Sequence, residues 1–364
     1  MNKFKVFYTG DYLDELGVPA DSDVFVNLYK NIKNIEYGFL EDQKPPVGDR
    51  DYWKRLYSLE IEPRHIAAAN GLVIFRPWVK ASAFREGSAN LVVIGRAGAG
   101  YDKIDLEACT ANDVAVFNAP DTLTHATASA ALLLMLALAK RLPDQERLVR
   151  TNRWDLQPRV MGDDLPGKTL GIVGLGASGS ELARLVAPFG MRVIAYSPRA
   201  TSEQFEAVRA IRVDSLDRLL SESDFVSLHC KLEKHTRGMI GEREFLHMKK
   251  TAYFINVGRG ELVNQDALVC CLREHRIAGA GLDVFEFEPL PAGDPLLELE
   301  NVILTPHWLT STRQAARSTM DRMTRGMIRA ASGEPPNDMI NQEVIDRPVF
   351  RRKLESFSSG FKAQ

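Results

Sequence analysis

Residues 168–179 read Lys168-Thr169-Leu170-Gly171-Ile172-Val173-Gly174-Leu175-Gly176-Ala177-Ser178-Gly179. The first six are strand-like, and residues 178–189 read as a helix. Between them Gly174 to Gly179 match G-x-G-x-x-G. The motif alone is weak, but a strand before it and a helix after it are the context its physics requires. The first glycine makes a tight turn, the second lets backbone approach a pyrophosphate, and the third lets helix and strand pack closely. The helix N-terminus adds unpaired N–H groups and a partial positive charge. Gly174, Gly176, Ala177, Ser178 and Gly179 are therefore the candidate dinucleotide cradle.

The next strand, residues 191–196, should end at the residue that reads the adenosine ribose. Ser197 stands 23 positions after Gly174, close to the usual spacing of about 20. An Asp or Glu there would accept from the ribose 2′-hydroxyl and favour NAD. The chain instead has Ser197 and then Arg199, a cation suited to a 2′-phosphate. The expected cofactor is NADP or NAD, with the balance toward NADP.

Further strands are expected at residues 225–228, 252–255, 278–284 and 302–304 on this side of the chain. Before it, residues 5–8, 72–75, 91–94 and 114–117 read as strands, with a helix over 104–111. Alternating strands and helices imply α/β architecture with parallel sheets. Residues 121–141 read as one long helix with an almost wholly apolar middle, buried between domains and ended by Pro143. Residues 31–51, with Lys44-Pro45-Pro46-Val47-Gly48, read as a loop or insertion. Residues 312–332 read as a helix returning to the first domain, and residues 341–364 as a tail that is at best partly ordered.

Composition narrows the function classes. The 364 residues allow two to three domains at roughly 150 residues each. Lys and Arg number 46 against 48 Asp and Glu, so nothing in net charge points to nucleic acid or an anionic membrane. Cys109, Cys230, Cys270 and Cys271 form no CxxC pair, which suits a reducing cytosol. The N-terminus lacks the apolar core of a signal peptide, and residues 126–139 are too short to span a bilayer. No His, Cys, Asp or Glu group has metal-ligand spacing, so no metal is expected.

Three more segments place a polar residue just past an apolar strand. They contain Asn256-Val257-Gly258-Arg259-Gly260, Leu282-Asp283-Val284-Phe285-Glu286-Phe287-Glu288-Pro289 and Thr305-Pro306-His307-Trp308. Ligands of open parallel sheets bind beyond the carboxyl ends of the strands, so Arg259, Glu288 and His307 are expected to converge. A guanidinium offers a fork for a carboxylate, an imidazole exchanges a proton near neutrality, and a nearby carboxylate favours the imidazolium. Glu286 is the rival to Glu288. Trp308 is either a packing residue or a substrate contact.

With these motifs in this order, the chain resembles the D-isomer-specific 2-hydroxyacid dehydrogenase family over about residues 91–312. The resemblance implies two Rossmann-like doubly wound domains. A substrate domain over 1–120 and 312–364, flavodoxin-like, would carry a dinucleotide domain inserted at 121–311. It implies that Arg259 binds and polarises a 2-oxo acid, that His307 moves the proton and that Glu288 pairs with it. Asp283 would hold the nicotinamide carboxamide, with Cys230, Lys231, Val257 and Gly258 also at the cofactor. In Arg96-Ala97-Gly98-Ala99-Gly100-Tyr101-Asp102, the Ala99 and Gly100 N–H groups would hold the substrate carboxylate. A small 2-oxo or 2-hydroxy acid such as glyoxylate or hydroxypyruvate, and a homodimer, are implied as well. Lys231, Ser129 and Trp308 depart from the family pattern, which has Pro, Glu and a smaller aliphatic residue there. Two rival readings are a nicotinamide-sensing, co-repressor-like scaffold and a short form of phosphoglycerate dehydrogenase. Formate and phosphite oxidation fit less well, because those relatives carry Gln in place of Glu288 and Lys in place of Ala99.

Overall fold

The computed structural model describes residues 3–19, 25, 28–30 and 32–358. The chain forms two compact units, Met1–Leu123 with Arg313–Gln364, and Thr124–Thr312. Each is built on one parallel sheet, whose inner strands are largely buried on both faces and read as nearly continuous apolar runs.

The first unit holds β1 (Phe4–Thr9), β2 (Ile35–Leu40), β3 (Gly71–Ile74), β4 (Val93–Arg96) and β5 (Ala115–Asn118). Their order is β2-β1-β3-β4-β5, the flavodoxin-like doubly wound arrangement. The helix Arg313–Ala331 packs here, burying Met320, Met323 and Met327 in the same core as Phe4, Val73 and Phe117.

Two expectations for this unit need correction. Residues 31–51 are not simply a loop, because Ile35–Leu40 is a strand pairing with β1 alone. An edge strand leaves Glu36 and Tyr37 exposed, which dilutes its apolar signal. The tail is also more regular than expected: Gln342–Asp346 forms a 3-10 turn and Pro348–Ser358 a helix, while residues 359–364 lie outside the described residues. Phe350 and Leu354, one helical turn apart, are buried, and the Arg351-Arg352 charges stay exposed. The tail is tied down at Asn341, which is 2% exposed. Its Oδ1 accepts from Val116 N at 2.7 Å, and its Nδ2 donates to Val114 O and Thr110 Oγ1 at 2.9 Å each.

The second unit holds β6 (Thr169–Val173), β7 (Arg192–Tyr196), β8 (Ile211–Arg212), β9 (Phe225–Leu228), β10 (Tyr253–Asn256), β11 (Gly279–Leu282) and β12 (Val302–Leu304). The order is β12-β11-β10-β9-β6-β7-β8, so the chain reverses direction across the sheet between β6 and β9. That switch point is where dinucleotides bind in this fold. Tyr196, Val173, Leu228, Asn256, Leu282 and Leu304 stand side by side across the sheet. The residues that follow them, Ser197, Gly174, His229, Val257, Asp283 and Thr305, therefore leave the sheet along one edge.

The long helix spans Thr124–Ala139 and packs against the helix Ala177–Val186, β10 and β11 within this unit. Leu133 is half-exposed, so the helix is not apolar-buried all round as expected. Nor does Pro143 end it. The break is at Arg141, whose φ of 52° is left-handed. Pro143 sits in the first turn of a new helix, Leu142–Arg150, where its missing N–H is not needed. Among the described residues no single helix is long and apolar enough to cross a membrane.

Replacing Asn341 with Ala should leave the Val116 N–H and Val114 carbonyl unpaired in the core. Thermal or urea unfolding should show a loss of about 1–3 kcal/mol, whereas an undocked tail would leave stability unchanged.

Candidate active site

The glycine turn meets the steric demands of a dinucleotide cradle. Gly174 has φ +97°, and a Cβ there would lie 2.7 Å from Cys230 N. A Cβ on Gly179 would lie 2.3 Å from Gly174 O, so helix and turn touch through the missing side chain. Gly176 is different: a Cβ there meets nothing within 4 Å. The packing does not require glycine at that position, but a ligand approaching the backbone would. Ala177 begins the helix Ala177–Val186. Ser178 Oγ is 3.0 Å from His229 Nδ1, and His229 Nε2 is 2.9 Å from Ser227 Oγ. Burial pushes the His229 imidazole down to about 4, so it is neutral and bridges the two hydroxyls. It is thus a core histidine that ties the glycine-turn helix to the end of β9.

On one flank of the turn, Ser197 opens a bend closed by Ala200 N to Ser197 O at 3.2 Å. Arg199 is two-thirds exposed or more and donates both guanidinium arms to Glu233, at 3.2 and 3.0 Å. On the other flank, Cys230 contacts Met239 through sulfur, and Lys231 O accepts from Thr236 Oγ1 at 2.8 Å. Val257 is buried, and Gly258 N donates to Asn256 Oδ1 at 3.1 Å.

Asp283 is the best evidence that the site suits a nicotinamide. It is fully buried, and its Oδ1 accepts from Thr305 Oγ1 at 2.7 Å, Trp308 N at 3.0 Å and Leu309 N at 3.3 Å. Its Oδ2 has no hydrogen-bond partner among the described residues. Burial raises the carboxyl pKa against the Thr305 hydroxyl, the two N–H groups and the His307 charge. A buried acceptor left unpaired is costly, and a carboxamide N–H₂ would satisfy it.

The same hydrogen bonds fix the loop that carries His307. That residue has φ 53°, a left-handed conformation costing a non-glycine residue about 1–2 kcal/mol. His307 Nδ1 donates to Glu288 Oε2 at 2.8 Å, and Phe285 N donates to Glu288 Oε1 at 3.2 Å. Burial works to raise the Glu288 carboxyl. The His307 hydrogen bond and charge, the Phe285 N–H and the Arg259 charge outweigh it and hold the group below the usual carboxylate range. An ionised Glu288 fixes the proton on Nδ1 and turns Nε2 toward other partners. Glu286 makes no such contact; its N–H donates to Gln265 Oε1. Arg259 is carried by a loop that Asn256 braces, through Nδ2 to Arg259 O at 2.9 Å. Arg259, Glu288 and His307 thus belong to one cluster, with Trp308 half-exposed beside it. The bracing residues Asn256 and Thr305 were not singled out from sequence. Both adjoin strand ends, which is the signal that would have found them.

The loop expected to hold a substrate carboxylate lies in the first unit, after β4. Gly98 has φ +139°, Ala119 N donates to Gly98 O at 3.1 Å, and Asn118 Nδ2 donates to Ala99 O at 2.6 Å. No described residue accepts from the Ala99 or Gly100 N–H.

A doubly wound sheet with a His–Glu pair and an arginine at its strand ends fits a nicotinamide-dependent dehydrogenase, and comparison with known proteins gives the family. The NAD binding domain of the D-isomer specific 2-hydroxyacid dehydrogenases matches residues 132–308. A glyoxylate reductase of Korarchaeum cryptofilum is 41% identical over 263 residues, 71% of this chain and 79% of the relative. A D-3-phosphoglycerate dehydrogenase of Archaeoglobus fulgidus is 38% identical over 265 residues, but the match spans only 50% of that protein. The solved structure of holo D-mandelate dehydrogenase from Rhodotorula graminis superposes with a TM-score of 0.77 at 27% identity, covering 94% of this chain and 99% of that one. The chain belongs to the D-isomer specific 2-hydroxyacid dehydrogenase family. It is an oxidoreductase that moves a hydride between a nicotinamide dinucleotide and a small 2-hydroxy or 2-oxo acid. The sensing-scaffold rival finds no support in these relatives.

Because nothing in the fold fills the space above Gly176, Gly176→Ala should fold with stability changed by less than about 0.5 kcal/mol. Its affinity for NADH or NADPH, followed by fluorescence titration, should fall at least about ten-fold. Unchanged affinity would place the cofactor elsewhere.

Proposed function

We propose that the chain reduces a small 2-oxo acid such as glyoxylate or hydroxypyruvate to the D-2-hydroxy acid, reversibly, with Arg259, His307 and Glu288 as its catalytic residues. The observation that carries this reading is the 2.8 Å contact between Glu288 and His307, with the Arg259 charge in reach of the same carboxylate. The Gly174–Gly179 turn, Ser197, Arg199, Cys230, Lys231, Val257, Gly258 and Asp283 would hold the nicotinamide dinucleotide, which supplies the hydride to C2 of the acid when bound. Arg259 takes the carboxylate and polarises the C2 carbonyl, as a guanidinium fork does. The Ala99 and Gly100 N–H groups, from which no described residue accepts, are suited to a carboxylate, and Trp308 to the acid's side chain. Glu288 holds Nδ1, so that Nε2 is the atom of His307 that gives a proton to the C2 oxygen. In oxidation the same nitrogen takes the proton back.

The names of the relatives support glyoxylate as the first substrate to try, with 3-phosphohydroxypyruvate as the second. Ser197 and Arg199 support NADP over NAD, since neither repels a 2′-phosphate. Exposed Leu133, Leu142, Val149, Trp154 and Met161 in the second unit support a homodimer. The four free thiols suit the cytoplasm.

Replacing His307 with Ala should lower kcat about 10²–10⁴-fold while the dissociation constant for NADPH stays the same. Unchanged kcat would remove His307 from the mechanism. Replacing Glu288 with Gln removes the carboxylate that holds the Nδ1 proton and the orientation of the ring, so kcat should fall at least about ten-fold with NADPH affinity kept; an unchanged kcat would make Glu288 a structural residue only.

A further inference from the structure

The Arg199–Glu233 pair joins the two loops that flank the glycine turn. Arg199 follows β7 and Glu233 follows β9, the strands on either side of β6. Tyr196 and Leu228, their last residues, both stand opposite Val173, the residue before Gly174. The bridge therefore spans the carboxyl end of β6, next to the end of β7 where this fold receives the adenosine ribose.

The two partners are held differently. Glu233 sits in a tight, pinned loop. Its N–H donates to Thr236 Oγ1 at 2.7 Å, that hydroxyl donates back to Lys231 O at 2.8 Å, and Thr236 is only 7% exposed. Arg199 lies on an exposed bend with its side chain 73% accessible. The carboxylate is the fixed member and the guanidinium the movable one. Glu233 is also the one acid in a segment that reads Lys231-Leu232-Glu233-Lys234-His235-Thr236-Arg237. His235 Nε2 lies 3.5 Å from the same Glu233 oxygen.

A guanidinium whose two arms already grip a carboxylate must release it to grip a phosphate in the same way. A 2′-phosphate drawn to Arg199 would also come to rest near the Glu233 charge, which repels it. A 2′-hydroxyl has the opposite relation to Glu233, since it can donate to that carboxylate as it would to an acid at the end of the second strand. We propose that Glu233 sets the discrimination between NADP and NAD in this chain. It competes with the 2′-phosphate for Arg199 and stands in as the charged ribose acceptor that Ser197 does not supply. This rests on the reading of Arg199 as the 2′-phosphate ligand.

The test is calorimetric binding of 2′,5′-ADP and 5′-AMP to the wild type, Glu233→Gln, Arg199→Ala and the double variant. Both side chains are on the surface, so all four proteins should fold. In Glu233→Gln the ratio of affinities for 2′,5′-ADP over 5′-AMP should rise about ten-fold, and Arg199→Ala in the same chain should abolish the gain. A ratio unchanged in Glu233→Gln but lowered in Arg199→Ala would overturn the role of Glu233 and leave Arg199 as the phosphate ligand. A ratio that neither substitution moves would overturn both.

Discussion

One hydrogen bond, from His307 Nδ1 to Glu288 Oε2 at 2.8 Å, carries most of the chemistry in this account. It fixes which ring nitrogen is committed to protein and which is left for substrate. It sets a full negative charge against the ring in a half-buried setting, where such a charge is screened less than in water. It also depends on a second constraint. His307 adopts a left-handed backbone that is unfavourable by itself, and the two N–H groups after it, from Trp308 and Leu309, converge on Asp283. The acid suited to a nicotinamide carboxamide is thus the acid that shapes the loop presenting the proposed proton donor. The proposed cofactor and acid–base sites share one buried carboxylate.

The sheet makes this economy available. Parallel strands in register end together, so residues distant in sequence leave the sheet as neighbours. Gly174, His229, Val257, Asp283 and Thr305 follow five strand ends aligned across β6, β9, β10, β11 and β12. Each position inherits its place from hydrogen bonds made inside the sheet, and loop variation beyond those positions can change specificity without disturbing them.

Much of this was legible in the sequence because the constraints are local. A glycine turn between a strand and a helix announces itself by spacing, and Arg259, Glu288 and His307 each follow an apolar run. The resemblance to a known family then supplied the roles. What stayed hidden depends on partners far along the chain. The strand Ile35–Leu40 pairs on one side only and contains Glu36 and Gly38, so its apolar pattern is broken. The ordered tail rests on Asn341, whose partners lie more than two hundred residues earlier. The return of the chain into the helix Leu142–Arg150 turns on a left-handed Arg141, a conformation that arginine does not advertise. Glu233 is one charge among several in its segment, and only its pairing with Arg199, which follows another strand, sets it apart.

The most direct measurement is the ¹⁵N NMR spectrum of the His307 ring in the complex with reduced nicotinamide dinucleotide and oxamate, a 2-oxo acid mimic, near neutral pH. The Glu288 contact predicts a proton on Nδ1, shifted by a strong hydrogen bond to that carboxylate. A ring with no bonded proton on Nδ1 would contradict it.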